Sequence, residues 1–135
     1  MDTNVLVSAL LSPQGVPAQV LQLILAGKTL ICHDVRILDE YRRVLRRPKF
    51  PFDSRDVDDL VNYLESSGEA VACVPLPDPL PDPDDGAFLE AALAGHADYL
   101  VTGNLKHYPA KLRRGVAVVT PAEFLKEVLR KWPAS

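Results

Sequence analysis

Four short apolar runs, Thr29–Cys32, Ala70–Val74, Tyr99–Thr102 and Val116–Val119, are separated by stretches with helical punctuation. Runs of four or five residues suit strands and are too short for helices. Between them the helix signals are explicit. Asn4–Leu11 is ended by Pro13 and Gly15, Pro17 opens a second helix that Gly27 closes, and Asp34 caps a third running to about Arg47. Ser54 is expected to cap a fourth helix to about Ser67, a fifth runs from near Asp84 to Gly95, and Thr120-Pro121-Ala122-Glu123 forms a capping box for the last. Strands that alternate with helices predict an α/β fold, a three-layer α/β/α sandwich around a mainly parallel sheet. In such sheets ligands gather beyond the carboxyl ends of the strands. Residues just after each strand are therefore the candidates for function.

Composition narrows the class. The chain has 135 residues, 47% of them hydrophobic and 24% charged, which fits one globular domain over residues 1–135 and excludes a disordered or fibrous chain. Its net charge of −3 does not announce a nucleic-acid binder. The basic residues are nevertheless clustered, Arg42, Arg43, Arg46, Arg47 and Lys49 in one group and Lys106, Lys111, Arg113 and Arg114 in another. Cys32 and Cys73 sit in apolar runs and read as buried thiols of a reducing compartment, and the three histidines have no zinc spacing. With neither a long apolar stretch nor a signal peptide, the expectation is a cytoplasmic protein with no membrane partner. Five of the 12 prolines, Pro75, Pro77, Pro79, Pro81 and Pro83, occupy alternate positions. They exclude a helix there and favour a stiff extended path into the Asp84-Asp85 helix start.

The polar residues at the strand ends are mostly acids. Asp2 precedes the first helix, as a cap or a site residue. Glu40 shares the stripe of Ile37, Tyr41 and Val44, where an ionised carboxylate needs a cation or several donors unless it reaches solvent or pairs with Arg43 or Arg36. Asp82, Asp84 and Asp85 outnumber what one helix start requires. Asn104 follows the third apolar run. If Asp2, Glu40 and Asp85 converge, an all-oxygen site suits Mg²⁺ or Mn²⁺ rather than zinc. Such an ion activates water and neutralises a phosphate.

The runs Asp2-Thr3-Asn4-Val5-Leu6-Val7-Ser8-Ala9, Leu38-Asp39-Glu40-Tyr41, Asp82-Pro83-Asp84-Asp85 with Phe88-Leu89-Glu90-Ala91-Ala92, and Ala97-Asp98-Tyr99-Leu100-Val101-Thr102-Gly103-Asn104 resemble those of PIN-domain nucleases. The resemblance is nearest to the VapC-like toxins of type II toxin–antitoxin pairs. It implies a parallel sheet of about five strands and a Mg²⁺- or Mn²⁺-dependent endoribonuclease. By that analogy Asp2, Glu40 and Asp85 bind metal, with Asp82 and Asp84 as further candidates. Asn4 supports the site, and Asn104 takes the place of a fourth acid. Arg43, Lys106 and His107 are expected on the RNA, with His107 at a phosphate. The resemblance also implies a cognate antitoxin and a homodimer. Family members carry an apolar strand before the first acid, whereas only Met1 precedes Asp2, so the first strand is expected to be truncated and the native start to lie a few codons upstream.

The alternative is a non-catalytic PIN-like module that binds RNA or protein, favoured by the neutral Asn104 and the short start. A haloacid-dehalogenase phosphatase would need Asp-x-Asp where this chain has Asn4. A receiver domain would need its acid pair after the first strand.

Overall fold

The computed structural model describes residues 1–131. In order, the elements are α1 (Thr3–Leu11), α2 (Val16–Leu25), β1 (Cys32–His33), α3 (Val35–Leu45), α4 (Ser54–Ser67), β2 (Glu69–Ala70), a 3₁₀ turn (Pro83–Asp85), α5 (Gly86–Ala94), β3 (Leu100–Val101), 3₁₀ turns at Leu105–His107 and Ala110–Leu112, β4 (Val118–Val119) and α6 (Pro121–Lys131). Every strand pair is parallel, β1 with β2 and β3 with β4. The α/β character and parallel sense predicted from the alternation are present. The sheet itself differs from the expectation of about five strands. Among the described residues four short strands form two separate two-stranded ladders.

The helices form where local chemistry places them. Asp34 caps α3 by accepting from the Ile37 N–H at 3.1 Å. Thr120 and Glu123 exchange the two hydrogen bonds of a capping box. At α4 the cap is Asp53 rather than the expected Ser54, because the Asp53 carboxylate accepts from the Arg55 N–H at 2.8 Å. α3 ends at Leu45, two residues short of expectation, in consecutive turns that lead through Pro48. Gly27, at φ +74°, ends the α2 segment with the Lys28 N–H bonded back to Leu23.

The core is the apolar faces of these helices. Val5 and Leu6 of α1, Ile37, Tyr41 and Leu45 of α3, Val61 and Leu64 of α4, and Leu89 of α5 are all buried. α3 and α4 are clamped on their polar side, where Arg42 donates to Asn62 and Arg46 pairs with Asp58. The strands are shorter than their apolar runs. β2 stops once the Val71 N–H has bonded to the His33 carbonyl, and the proline stretch that follows has no ladder donors at its prolines. That stretch is tied down instead by buried Leu80 and by the Leu76 N–H, which donates to Glu90 at 3.3 Å. Cys32 and Cys73 are free and only half-buried.

β1 and β3 belong to separate ladders and share no ladder bond. Beside the segments that lead into them, an open cleft of about 330 Å³ is lined by Leu30, Cys32, Ala97 and Tyr99. The Asp2 N–H takes one place on the β3 edge, bonding to the Val101 carbonyl at 2.9 Å. No helix among the described residues is long and apolar enough to cross a membrane.

Gly68 marks a close approach between backbones. A Cβ there would lie 2.5 Å from the Ile31 carbonyl oxygen and 2.7 Å from that of Leu64. Both neighbours are backbone and cannot turn aside. Gly68→Ala is expected to destabilise the fold by about 1–3 kcal/mol, the usual cost of overpacking, read as a lower urea midpoint with an unchanged slope.

Candidate functional site

α1 and β3 meet at Asp2. Its Oδ1 accepts from the Asn4 N–H at 3.1 Å, which makes it the N-cap of α1. Its Oδ2 accepts from the Thr102 hydroxyl at 2.8 Å. Thr102 is wholly buried just beyond β3, and its oxygen in turn accepts from the Asn104 N–H at 3.1 Å. Asp2 is thus cap and site residue together, so the two roles that the sequence left open coexist.

Asp85 arrives from the other side. Asp82 accepts from the Asp84 N–H, Pro83 starts the 3₁₀ turn, and Asp85 ends that turn as α5 begins. Only 7% of Asp85 is exposed, and its Oδ2 has no hydrogen-bond partner. Burial first, then the Asp2 carboxylate, push its pKa up to about 6, while His107 acts in the opposite direction. Asp82 and Asp84 stay exposed at the turn, outside the cluster.

The third member is His107. Ligand atoms of Asp2, Asp85 and His107 all lie within 4.8 Å of one another. The His107 Nδ1 stands 3.2 Å from the Asp85 Oδ2, yet it too has no hydrogen-bond partner. The remaining buried orphan among the described residues is the hydroxyl of Tyr108. Burial pushes that phenol up, and the charges of Asp2, Asp85 and Glu40 push it further. Three polar atoms without partners thus belong to one neighbourhood. Buried polar groups are paired in the great majority of cases, so this concentration marks a place built for something other than itself.

Glu40, expected as the third metal acid, stands just beyond the closest group of ligand atoms. Glu40 accepts from the Thr3 hydroxyl, and its other oxygen stands 3.8 Å from Arg43. It lies outside the Asp2–Asp85–His107 group, close enough for its charge to raise Asp85. Its apolar stripe is real, with Ile37, Tyr41 and Val44 buried, and its donor is a threonine on a different helix. Asn104 uses its side-chain oxygen locally. That oxygen accepts from the Lys106 N–H and builds the turn that carries His107. Asn4 and Lys106 are exposed beside the site. Sequence reasoning missed Thr3, Thr102 and Tyr108. Thr102 alone left a signal there, as the polar residue that closes an apolar run.

Metal-free protein offers a direct check on Asp85. Its carboxyl ionises near pH 6 when folded and near the ordinary 3.8 when unfolded. The unfolded chain therefore releases this proton first, and stability is lost as pH rises from about 4 through 6. In EDTA at pH 7.5, Asp85→Asn is expected to raise Tm by about 3 °C or more, equivalent to ~1 kcal/mol. The gain should vanish by about pH 4, as thermal unfolding at both pH values will show.

A model of the family described as PIN domain matches residues 1–106, a span that holds Asp2, Glu40, Asp85 and Asn104 and ends just before His107. Members of that family are generally nucleases. No curated protein and no solved structure matches the chain. The family match covers most of the sequence and agrees with the parallel α/β architecture, with acids gathered beyond a strand end: the chain belongs to the PIN domain family.

Proposed function

We propose that this protein is a divalent-metal-dependent endoribonuclease that hydrolyses RNA phosphodiester bonds, and that it is the VapC-like toxin of a toxin–antitoxin pair. The observation that carries the nuclease reading is the meeting of Asp2 and Asp85, with the buried Asp85 Oδ2 left without a donor. Two carboxylates held this close repel one another unless a cation sits with them. Nuclease chemistry is also what PIN domains generally perform.

The donor set fits a divalent ion such as Mg²⁺ or Mn²⁺, with Asp2 and Asp85 as its acidic ligands. When bound, the ion lowers the pKa of water and neutralises phosphate charge. The chain's own residues supply the rest. Thr102 and the α1 N–H fix the Asp2 carboxylate, leaving lone pairs on both oxygens. Glu40, braced by Thr3 and Arg43, adds negative charge at the rim. The Tyr108 hydroxyl is a buried donor for an oxygen at the centre. Arg43 and Lys106, exposed on either side with Asn4 nearby, suit the flanking phosphates of a single-stranded RNA. Arg42 and Arg46 pair with α4, and Arg113 donates to the Tyr108 carbonyl at 2.7 Å, which ties these cations to the fold.

The toxin role rests on the sequence motifs. Within it, a cognate antitoxin blocks the site and a second copy completes a homodimer. Induced expression should arrest growth, and co-expression of a small protein encoded next to it should relieve the arrest.

The nuclease reading is tested on a mixed RNA pool. Cleavage is expected with Mn²⁺, none with EDTA, and a loss of more than ~100-fold in Asp85→Asn, beyond what outer partners of a metal site contribute. Cleavage that survives both EDTA and the substitution would sink the assignment. RNA bound but never cut would favour the non-catalytic module.

A further inference from the structure

His107 stands at ion-pair distance from Asp85, and no hydrogen bond joins the two. The Nδ1 and the Asp85 Oδ2 stand at hydrogen-bonding distance, 3.2 Å, without forming a hydrogen bond. Both atoms are inaccessible to solvent, and Asp85 is 7% exposed. Two donor atoms on one ion, each at about 2.0–2.2 Å and in adjacent coordination positions, stand about 2.8–3.6 Å apart. The observed separation falls in that range. The orientation is also built rather than accidental. Asn104 spends its backbone carbonyl on the His107 N–H and its side-chain oxygen on the Lys106 N–H, which locks the short turn that presents the imidazole.

We infer that His107 Nδ1 is a metal ligand, and that the centre Asp2–Asp85–His107 selects a first-row transition-metal dication over Mg²⁺. The inference deepens the ribonuclease reading and rests on its metal centre. Two carboxylates and a neutral imidazole balance one dication. An imidazole nitrogen adds affinity for transition metals and little for Mg²⁺, which prefers oxygen and retains its waters. Asn104 is then a positioning residue for His107, and its neutrality is no defect.

Mn²⁺ is the stringent probe, because it stands lowest in the transition-metal affinity order and is paramagnetic. Pulsed EPR of the Mn²⁺-loaded protein is expected to show a ¹⁴N coupling that becomes a ¹⁵N coupling when histidine alone is ¹⁵N-labelled. The coupling should disappear in His107→Gln whose circular dichroism is unchanged. The other histidines are placed elsewhere, His33 against the Glu65 carbonyl and His96 at the cleft. Titration calorimetry should find Mn²⁺ bound about tenfold tighter than Mg²⁺, with His107→Gln removing most of that margin through loss of Mn²⁺ affinity. Mn²⁺ bound with no histidine coupling, or with a coupling that persists in His107→Gln, overturns the inference. If EDTA-sensitive RNA cleavage is present in that case, the ribonuclease reading stands without it. Nitrogen-ligated Mn²⁺ in a protein that cuts no RNA leaves this inference standing and removes the other.

Discussion

The hydrogen bond from the Thr102 hydroxyl to the Asp2 carboxylate ties the chain start to the end of β3, and much else hangs on it. One end of that bond is the N-cap of α1, the helix that packs against both α2 and α3. At the other end, the same threonine oxygen receives the Asn104 N–H and so anchors the loop that returns with His107 and Tyr108. That loop crosses from β3 to the parallel β4 with 3₁₀ turns in place of the usual helix. Without a helix to stiffen it, its shape depends on side-chain contacts, among them the Asn104 turn and the Arg113 bond to Tyr108. Removing the threonine hydroxyl would leave a buried carboxylate oxygen without that donor and loosen both sides of the site together.

What the sequence made legible was local. The caps at Asp34 and Asp82, the Thr120–Glu123 box and the stripe of α3 are set by residues a few positions apart, and they were found. Asp2 and Asp85 stood among several acids at helix starts, where capping is common, and what sets them apart is that the fold brings their carboxylates together. Glu40 was placed on the right face, but its partner Thr3 is 37 residues distant, and no spacing rule reaches that far. His107 was read as a phosphate contact because histidine in a basic loop has many uses. Its 3.2 Å separation from Asp85 appears only once the chain is folded. Tyr108 left no signal, since a missing hydrogen bond is a property of the folded packing. The strands are shorter than their apolar runs for a related reason. The apolar runs are present, but ladder bonds form over only part of each, and between β1 and β3 they do not form at all.

The proline stretch has a plain structural role beside the site. Extended and short of donors, it leaves β2 and is pinned by Leu80 and Glu90 before Asp82 turns it into the 3₁₀ start. A flexible linker of the same length would lose more entropy in holding Asp85 where it is.

Asp2 and Asp85 share one further circumstance. Each stands at the start of a helix, α1 and α5, but only one is used there. Asp2 spends an oxygen on capping α1, whereas Asp85 makes no capping bond and keeps its buried Oδ2 free. Asp82, one turn earlier, does the capping, so the helix start is secured without drawing on the carboxylate that faces Asp2.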